Sequence, residues 1–279
     1  MGELSLDHIE ETWEHITLAR EGKRPHTLDY LQRLVTGLIE LHGDRRYGDD
    51  PAMVAGLGFW LGRPVVVVGH QKGSTLAERQ RRNFAMAKPE GYRKALRVMR
   101  LGAQLGRPIV SLIDTPGADC MPDSESRGIS EAIADNQREM FGLPVPIVAV
   151  VIGEGGSGGA IGIGVGDRIY MMENTYYSVI APESCAAILW RDPSQKKAAA
   201  ASLKLSPRDA LELGVIDGVI PEPPGGAHKA PDEAARLVGE TVARALDELA
   251  SLPPERLLAN RYNKFRWMGA PPDTRPKPE

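Results

Sequence analysis

Residues Ile152–Asp167 read IGEGGSGGAIGIGVGD, and half of these sixteen residues are glycine. The stretch directly follows the apolar run Val145–Val151 (VPIVAVV). A buried strand that ends in so much bare backbone points to one of three chemistries. Gly153, Gly155 and Gly158 match the dinucleotide fingerprint G-x-G-x-x-G, with Glu173 twenty residues on from Gly153. That fingerprint needs a full helix after the glycines to carry a pyrophosphate on its N-terminus. Here Gly162, Gly164 and Gly166 interrupt the segment, and a glycine in a helix interior costs about 1 kcal/mol. Gly155-Gly156-Ser157-Gly158-Gly159 also fits the nucleophile pattern G-x-S-x-G. Such a serine needs a base; His70, oriented by Asp114, is the candidate, and without it Ser157 is a small residue that keeps the loop tight. The third chemistry uses the backbone alone. A helix opening at Gly158-Gly159-Ala160 would aim free N–H groups and its positive dipole end at a site. Glycine lets a substrate approach without a Cβ in the way. Losing one donor of this kind raises a reaction barrier by about 2.7–4 kcal/mol. This reading suits a loop that offers almost no side chains, and a short helix suffices for it.

Outward from the loop, strand and helix patterns alternate. Met53–Trp60 and Pro64–Gly69 read as strands joined around Gly62-Arg63. PVVVVG has no polar alternation, as expected of a strand buried on both faces. His70–Glu90 reads as a polar loop with the basic cluster ERQRRN, and Gly91–Leu105 as a helix closed by Gly106. Arg107–Asp114 reads as a short buried strand ending in TPGADCMPDSESRG, followed by a helix over Ile129–Phe141 and the strand Val145–Ile152. Strands over Asp167–Met172 and Tyr176–Ile180 follow. Helices are expected at Pro182–Trp190, Ser194–Leu203, Pro207–Leu213, Pro231–Leu249 and Pro254–Met268. On the N-terminal side, His26–Leu41 carries apolar residues at helical spacing, with Thr27 as its N-cap. The pattern predicts an α/β fold whose strands feed Gly/Pro loops. It divides the chain into an N-terminal helical segment (1–42), one main domain with trailing helices (43–268) and a disordered tail (269–279).

The totals exclude several function classes. The chain has 279 residues and a formal net charge of -3, so no global basic field exists to hold nucleic acid. Two cysteines, Cys120 and Cys185, cannot build a disulfide framework or a four-cysteine zinc site, and no metal site is expected. No run of about 18 apolar residues is present, so no membrane span is expected. The acidic, polar N-terminus is unlike a signal peptide, and the expected location is cytoplasmic.

Six motifs in fixed order now carry a resemblance: GHQKG (69–73), RRNFAMAKPEGYRKALRVM (81–99), IDTPGA (113–118), VIGEGGSGGA (151–160), YSVIAPESCAAILW (177–190) and IPEPPGGAH (220–228). The chain resembles the carboxyltransferase alpha-subunit family of bacterial acetyl-coenzyme A carboxylases over roughly residues 20–268. The resemblance implies a crotonase-like (ClpP/crotonase) α/β fold, a spiral of ββα units with flanking N- and C-terminal helices. It also implies transfer of a carboxyl group from carboxybiotin, presented by a carrier protein, to acetyl-CoA. The product is malonyl-CoA, the first committed step of fatty acid synthesis. No cofactor is then bound covalently. The implied partners are a zinc-ribbon-bearing beta subunit in an α2β2 assembly, the biotin carboxyl carrier protein and biotin carboxylase.

In this family the amides that face the biotin ureido oxygen come from the alpha chain, which assigns them to Gly158 and Gly159. Gly155 and Gly156 would shape the approach, and Gly117-Ala118 would line the same cleft or form a plain turn. Tyr92 and Arg93, with Lys94, would reach coenzyme A phosphates or the partner chain, or simply lie on a solvated helix face. Lys72, with Gln71, is a candidate for a phosphate or carrier contact. Glu154 is expected to hold the glycine loop by accepting from its amides. Released biotin can act as the base, so no protein base is required.

One segment departs from the family. IDTPGA is usually followed by an aromatic residue, proline and glycine, and here it is followed by Asp119, Cys120, Met121 and Pro122. The departure alters one wall of the cleft and motivates one alternative, a carboxyltransferase or decarboxylase of the same fold for another acyl-CoA. GGSGG motivates a second, a serine hydrolase of the same fold using Ser157, and a non-catalytic scaffold within a carboxylase assembly is a third.

Overall fold

The computed structural model describes residues 5–270. After α1 (Leu6–Ala19) and α2 (Thr27–Leu34), the chain enters β1 (Val35–Glu40), β2 (Met53–Trp60) and β3 (Arg63–His70). The β2–β3 hairpin turns on Leu61 and Gly62, both with positive φ (46° and 88°), as a two-residue primed turn requires. Next come α3 (Leu76–Arg81), α4 (Pro89–Gln104), β4 (Ile109–Thr115), α5 (Pro122–Ser126) and α6 (Ile129–Gly142). Then follow β5 (Ile147–Gly156), α7 (Ser157–Ile161), β6 (Arg168–Met172), β7 (Tyr176–Ser178) and α8 (Pro182–Trp190). The chain closes with α9 (Lys196–Ser202), α10 (Pro207–Glu212), β8 (Gly218–Ile220), α11 (Pro231–Ala250) and α12 (Pro254–Trp267).

One sheet runs in the order β1-β2-β3-β4-β5-β6-β8, with β7 paired to the end of β5. The β1–β2 and β2–β3 pairs are antiparallel; every later pair is parallel. The unpatterned apolar runs occupy the middle of this sheet because both faces are covered. Val66, Val68, Ile109, Ile113, Ile147, Ala149 and Val151 pack with α4 and α6 on one face. Val65, Val67, Val110, Leu112, Val148 and Val150 pack with α2 and α11 on the other. Period-2 side chains with helices on both sides produce this three-layer arrangement.

Three expectations change. The helix over His26–Leu41 stops at Leu34, and β1 takes the rest as an edge strand with a register shift between Thr36 and Ile39. Its N-cap is His26 with Asp29 completing a capping box, while the Thr27 hydroxyl donates to the His70 carbonyl. The loop His70–Glu90 contains α3 and a left-handed turn at Asn83, Phe84 and Ala85 (φ 44°, 54° and 64°). The segment 1–42, expected to be helical, also supplies the edge strand β1. β1 pairs with β2, α2 packs under the sheet, and buried Arg24 forms an ion pair with Glu222 at 2.5 Å. Most of the tail expected to be disordered, 271–279, lies outside the described residues.

Candidate active site

The glycine run divides into two parts with different physical duties. β5 continues through Gly156, four residues past the expected end of the strand. A Cβ on Gly153 would lie 2.3 Å from an Asp114 carboxylate oxygen, one on Gly155 2.8 Å from the Tyr176 carbonyl, and one on Gly156 2.1 Å from the Pro116 carbonyl. These glycines let β4, β5 and β7 close together. Gly155 and Gly156 are therefore buried under the site and shape it from below; they do not face the approach expected of them.

The second part turns into α7. Ser157 takes a left-handed φ of 50°, and Gly156 caps the helix without a side-chain hydrogen bond. Among the described residues, the N–H groups of Gly158 and Gly159 have no acceptor. A Cβ on Gly159 would lie 2.6 Å from the Ala118 nitrogen, so the Gly117-Ala118 backbone stands directly against the start of α7. Gly158 is more open, its nearest Cβ contact being the Ile133 Cδ1 atom at 3.5 Å. Gly158 and Ser157 line a cavity of about 460 Å³ whose other walls include Phe141, Ile161, Tyr177 and Phe265. Its one ordinarily titratable lining residue is Tyr177, and burial pushes that phenol up to about 12. The cavity thus offers backbone donors and apolar walls, with no general base at neutral pH among the described residues.

Tyr92 is placed differently from its expectation. Its side chain is fully buried, and its hydroxyl donates to the Gly159 carbonyl at 3.2 Å, so it braces α7 and cannot reach a coenzyme A phosphate at the surface. Asn136 donates to the Gly162 carbonyl at 3.0 Å, and the Ser111 hydroxyl to the Ile163 carbonyl at 2.6 Å. Neither residue was singled out from sequence, because carbonyl acceptors in a distant short helix leave no local pattern. Arg93 is tied to Asp44 at 2.8 Å and to the Arg127 carbonyl at 3.0 Å, and Lys94 is buried against Asp49 and the Asp50 carbonyl.

Lys72 is drawn beneath the loop, 3.2 Å from Asp114 and 2.6 Å from Glu154. Burial opposes its charge, but the two carboxylates outweigh that penalty and raise its pKa. Glu154 does not accept from the loop amides as expected. Its carboxylate takes Lys72, Arg20 at 3.1 Å and the Tyr176 hydroxyl at 2.6 Å, while its own N–H donates to Asp114. Asp114 also binds His26 at 2.7 Å. The buried network runs from α1 to β7 under β5.

The serine-nucleophile reading lacks its base. Both His70 ring nitrogens are buried without a hydrogen-bond partner, and Asp114 engages His26 and Lys72. The dinucleotide reading fails because α7 has only five residues. In the segment that departs from the family, Asp119 turns inward and accepts from Asn83 and from the Ser124 hydroxyl, while Cys120 is exposed. Among the described residues no metal-binding cluster occurs, and no helix is long and apolar enough to cross a membrane.

Comparison with known proteins agrees with this geometry. Residues 6–269 match the family model described as acetyl co-enzyme A carboxylase carboxyltransferase-like. The chain is 52% identical over 258 residues to an acetyl-coenzyme A carboxylase carboxyl transferase subunit alpha from Aquifex aeolicus, covering 92% of this chain and 80% of that protein. It is 51% identical to a protein of the same name from Thermus thermophilus, covering 92% and 82%. Among solved structures, transcarboxylase 12S superimposes with a TM-score of 0.67 at 19% identity, covering 83% of this chain and 43% of that one. A Pseudomonas malonate decarboxylase hetero-tetramer in complex with coenzyme A gives 0.66 at 16% identity, covering 84% and 91%. These neighbours share the crotonase-like α/β winding. A free pair of helix-opening amides, a base-free cavity and these relationships lead to one conclusion: the chain belongs to the acetyl-coenzyme A carboxylase carboxyltransferase alpha-subunit family.

Proposed function

We propose that this chain supplies the biotin-side half of an acetyl-CoA carboxylase carboxyltransferase, with the Gly158 and Gly159 N–H groups as its oxyanion donors. The observation that carries this reading is the absence, among the described residues, of any acceptor for those two N–H groups at the start of α7, where Gly158 lines the cavity and Gly159 is buried directly behind it. Carboxybiotin, presented by a carrier protein, would supply the carboxyl group, and acetyl-CoA would accept it. Everything the chain contributes is positional. The two amides meet negative charge on the ureido oxygen in surroundings poor in water, where fixed dipoles act strongly. Gly117-Ala118 fixes the outer edge of α7, and Tyr92 fixes its Gly159 carbonyl. The walls are mostly apolar, and among the described residues none there competes for a proton at neutral pH. The chain would work with a beta subunit that faces the acetyl-CoA thioester. Comparing acetyl- with propionyl-CoA in the assembled enzyme checks the acceptor, and a strong preference for propionyl-CoA would reassign it.

The amide assignment is tested with the complex reconstituted from this chain and its beta partner. Gly159→Ala places a methyl group against the Gly117-Ala118 backbone, so it should shift the amides and lower kcat by about two orders of magnitude. Gly158→Ala meets only the Ile133 Cδ1 atom at ordinary contact distance and should stay within several-fold of wild type. A folded Gly159→Ala enzyme with full turnover refutes the assignment.

A further inference from the structure

On the side of α6 away from the apolar cavity, the 43–46 loop, α4 and α6 enclose a groove of about 540 Å³ with an unusual charge content. Its lining holds five arginines (Arg45, Arg46, Arg93, Arg97 and Arg100) against two aspartates, Asp44 and Asp135. Both aspartates are already engaged. Asp44 accepts from Arg93 and from the N–H groups of Arg46, Tyr47 and Gly48, and Asp135 pairs with Arg138 at 2.9 Å. Arg100 pairs with Glu139 at 3.0 Å.

Three guanidinium groups, those of Arg45, Arg46 and Arg97, therefore line the groove without a close ion pair among the described residues, although Asp49 and Asp44 act on Arg97 at longer range. Arg97, half-buried, donates only to the Gly43 and His42 carbonyls at 3.1 and 3.2 Å. Arg45 donates to the same His42 carbonyl at 3.0 Å, and Arg46 is exposed at the groove's edge. Burial and then repulsion from Arg45 lower the Arg97 pKa, which marks like charge held close together. Carbonyl contacts fix the direction of the forks without neutralising them. Planar, always-charged forks held in this way suit bidentate recognition of phosphate oxygens, and the volume is that of a small-molecule site.

We propose that this groove is a binding site for a phosphate-bearing small molecule carrying at least two phosphate groups, held by Arg45, Arg46 and Arg97. It is separate from the cavity at α7, and its occupancy does not depend on carboxyl transfer. Two sources share the chemistry, a nucleoside diphosphate and the phosphorylated end of coenzyme A.

The test is calorimetric titration of the full chain at low salt, where charge recognition is least screened. The probes are inorganic pyrophosphate, ADP and coenzyme A. Pyrophosphate should bind saturably, one per chain. Arg97→Gln should weaken binding at least tenfold, and Arg45→Gln with Arg46→Gln should do the same through exposed side chains that the fold does not need. Arg107→Gln, on the exposed turn before β4, should leave binding unchanged. Tighter binding of ADP than coenzyme A identifies a nucleoside diphosphate as the source, and the reverse order identifies the coenzyme. No saturable pyrophosphate binding, or binding unmoved by the Arg45/Arg46 double variant, overturns the proposal.

Discussion

At the residue scale, His70 shows what burial does to a group with no side-chain hydrogen-bond partner. Its ring is fully buried, edge-on to Tyr92 at 6.3 Å between centroids, and burial lowers its pKa to about 4. The folded state thus binds this proton more weakly than the unfolded chain does. The contribution of His70 to stability is complete above its unfolded value near 6.5 and is lost as pH falls towards 4. Asp50 acts in the opposite direction. Burial raises its pKa to about 6, so its contribution is complete below about 4 and is lost as pH rises through 6. Between pH 4 and 6 the two slopes oppose each other and flatten the wild-type profile. Replacing His70 with Gln removes one slope. Urea unfolding at several pH values should then show the stability of His70→Gln relative to wild type rising by up to about 3 kcal/mol between pH 6.5 and 4. A difference that stays constant with pH would mean that His70 is not a buried neutral ring.

At the element scale, α7 is too short to persist alone, since nucleating a helix is costly and five residues return few internal bonds. It is held by side chains from three other elements: Tyr92 from α4 takes up its Gly159 carbonyl, while Asn136 from α6 and Ser111 from β4 take up the carbonyls of Gly162 and Ile163, which directly follow it. Asn136→Ala strands the buried Gly162 carbonyl, a loss of about 1–3 kcal/mol. Because Asn136 touches α7 from behind, its removal should lower kcat in the assembled enzyme while KM for acetyl-CoA stays near wild type. Equal loss of kcat and rise in KM would indicate general damage to the fold. The sequence makes α7 itself legible, because a strand that runs into glycines and then small residues leaves little else to form. Its braces were not legible: Tyr92 reads as one polar position on an amphipathic helix, and nothing local says that its hydroxyl turns inward. The misread stretch His26–Leu41 has a similar cause. Helical spacing persists through Leu34 and beyond, but Val35, Thr36 and Ile39 are β-branched and the β2 edge is there to pair with them. Tertiary pairing outweighs a local period of this kind.

At the scale of the whole molecule, the alternation of unpatterned strands and amphipathic helices makes the layered α/β architecture legible, because each strand declares burial on both faces. What ties the ends of the chain to that core is invisible to local pattern, since an ion pair spanning about a hundred residues has no spacing to detect. Arg261 on α12 is the clearest case. Its fully buried guanidinium takes both Asp167 carboxylate oxygens, at 2.9 and 2.7 Å, together with the Met140, Leu143 and Val145 carbonyls. Asp167 also accepts from the Ile147 N–H at 2.7 Å, where β5 begins. One side chain therefore joins the last helix, the end of α6, the start of β5 and the turn before β6. Replacing it with Ala leaves a buried carboxylate without its counter-charge, held by the Ile147 N–H, and takes a donor from three carbonyls, a change that typically removes about 3–5 kcal/mol. Arg261→Ala should lose that much in urea unfolding. Asp167→Ala should lose a comparable amount, and the double variant much less than the sum, because the second substitution removes a charge that the first had already stranded. Additive losses would show that the two side chains stabilise the fold independently, and Lys264, which donates to the Asp167 carbonyl and pairs with Asp217, would then be the polar tie of α12 to the sheet.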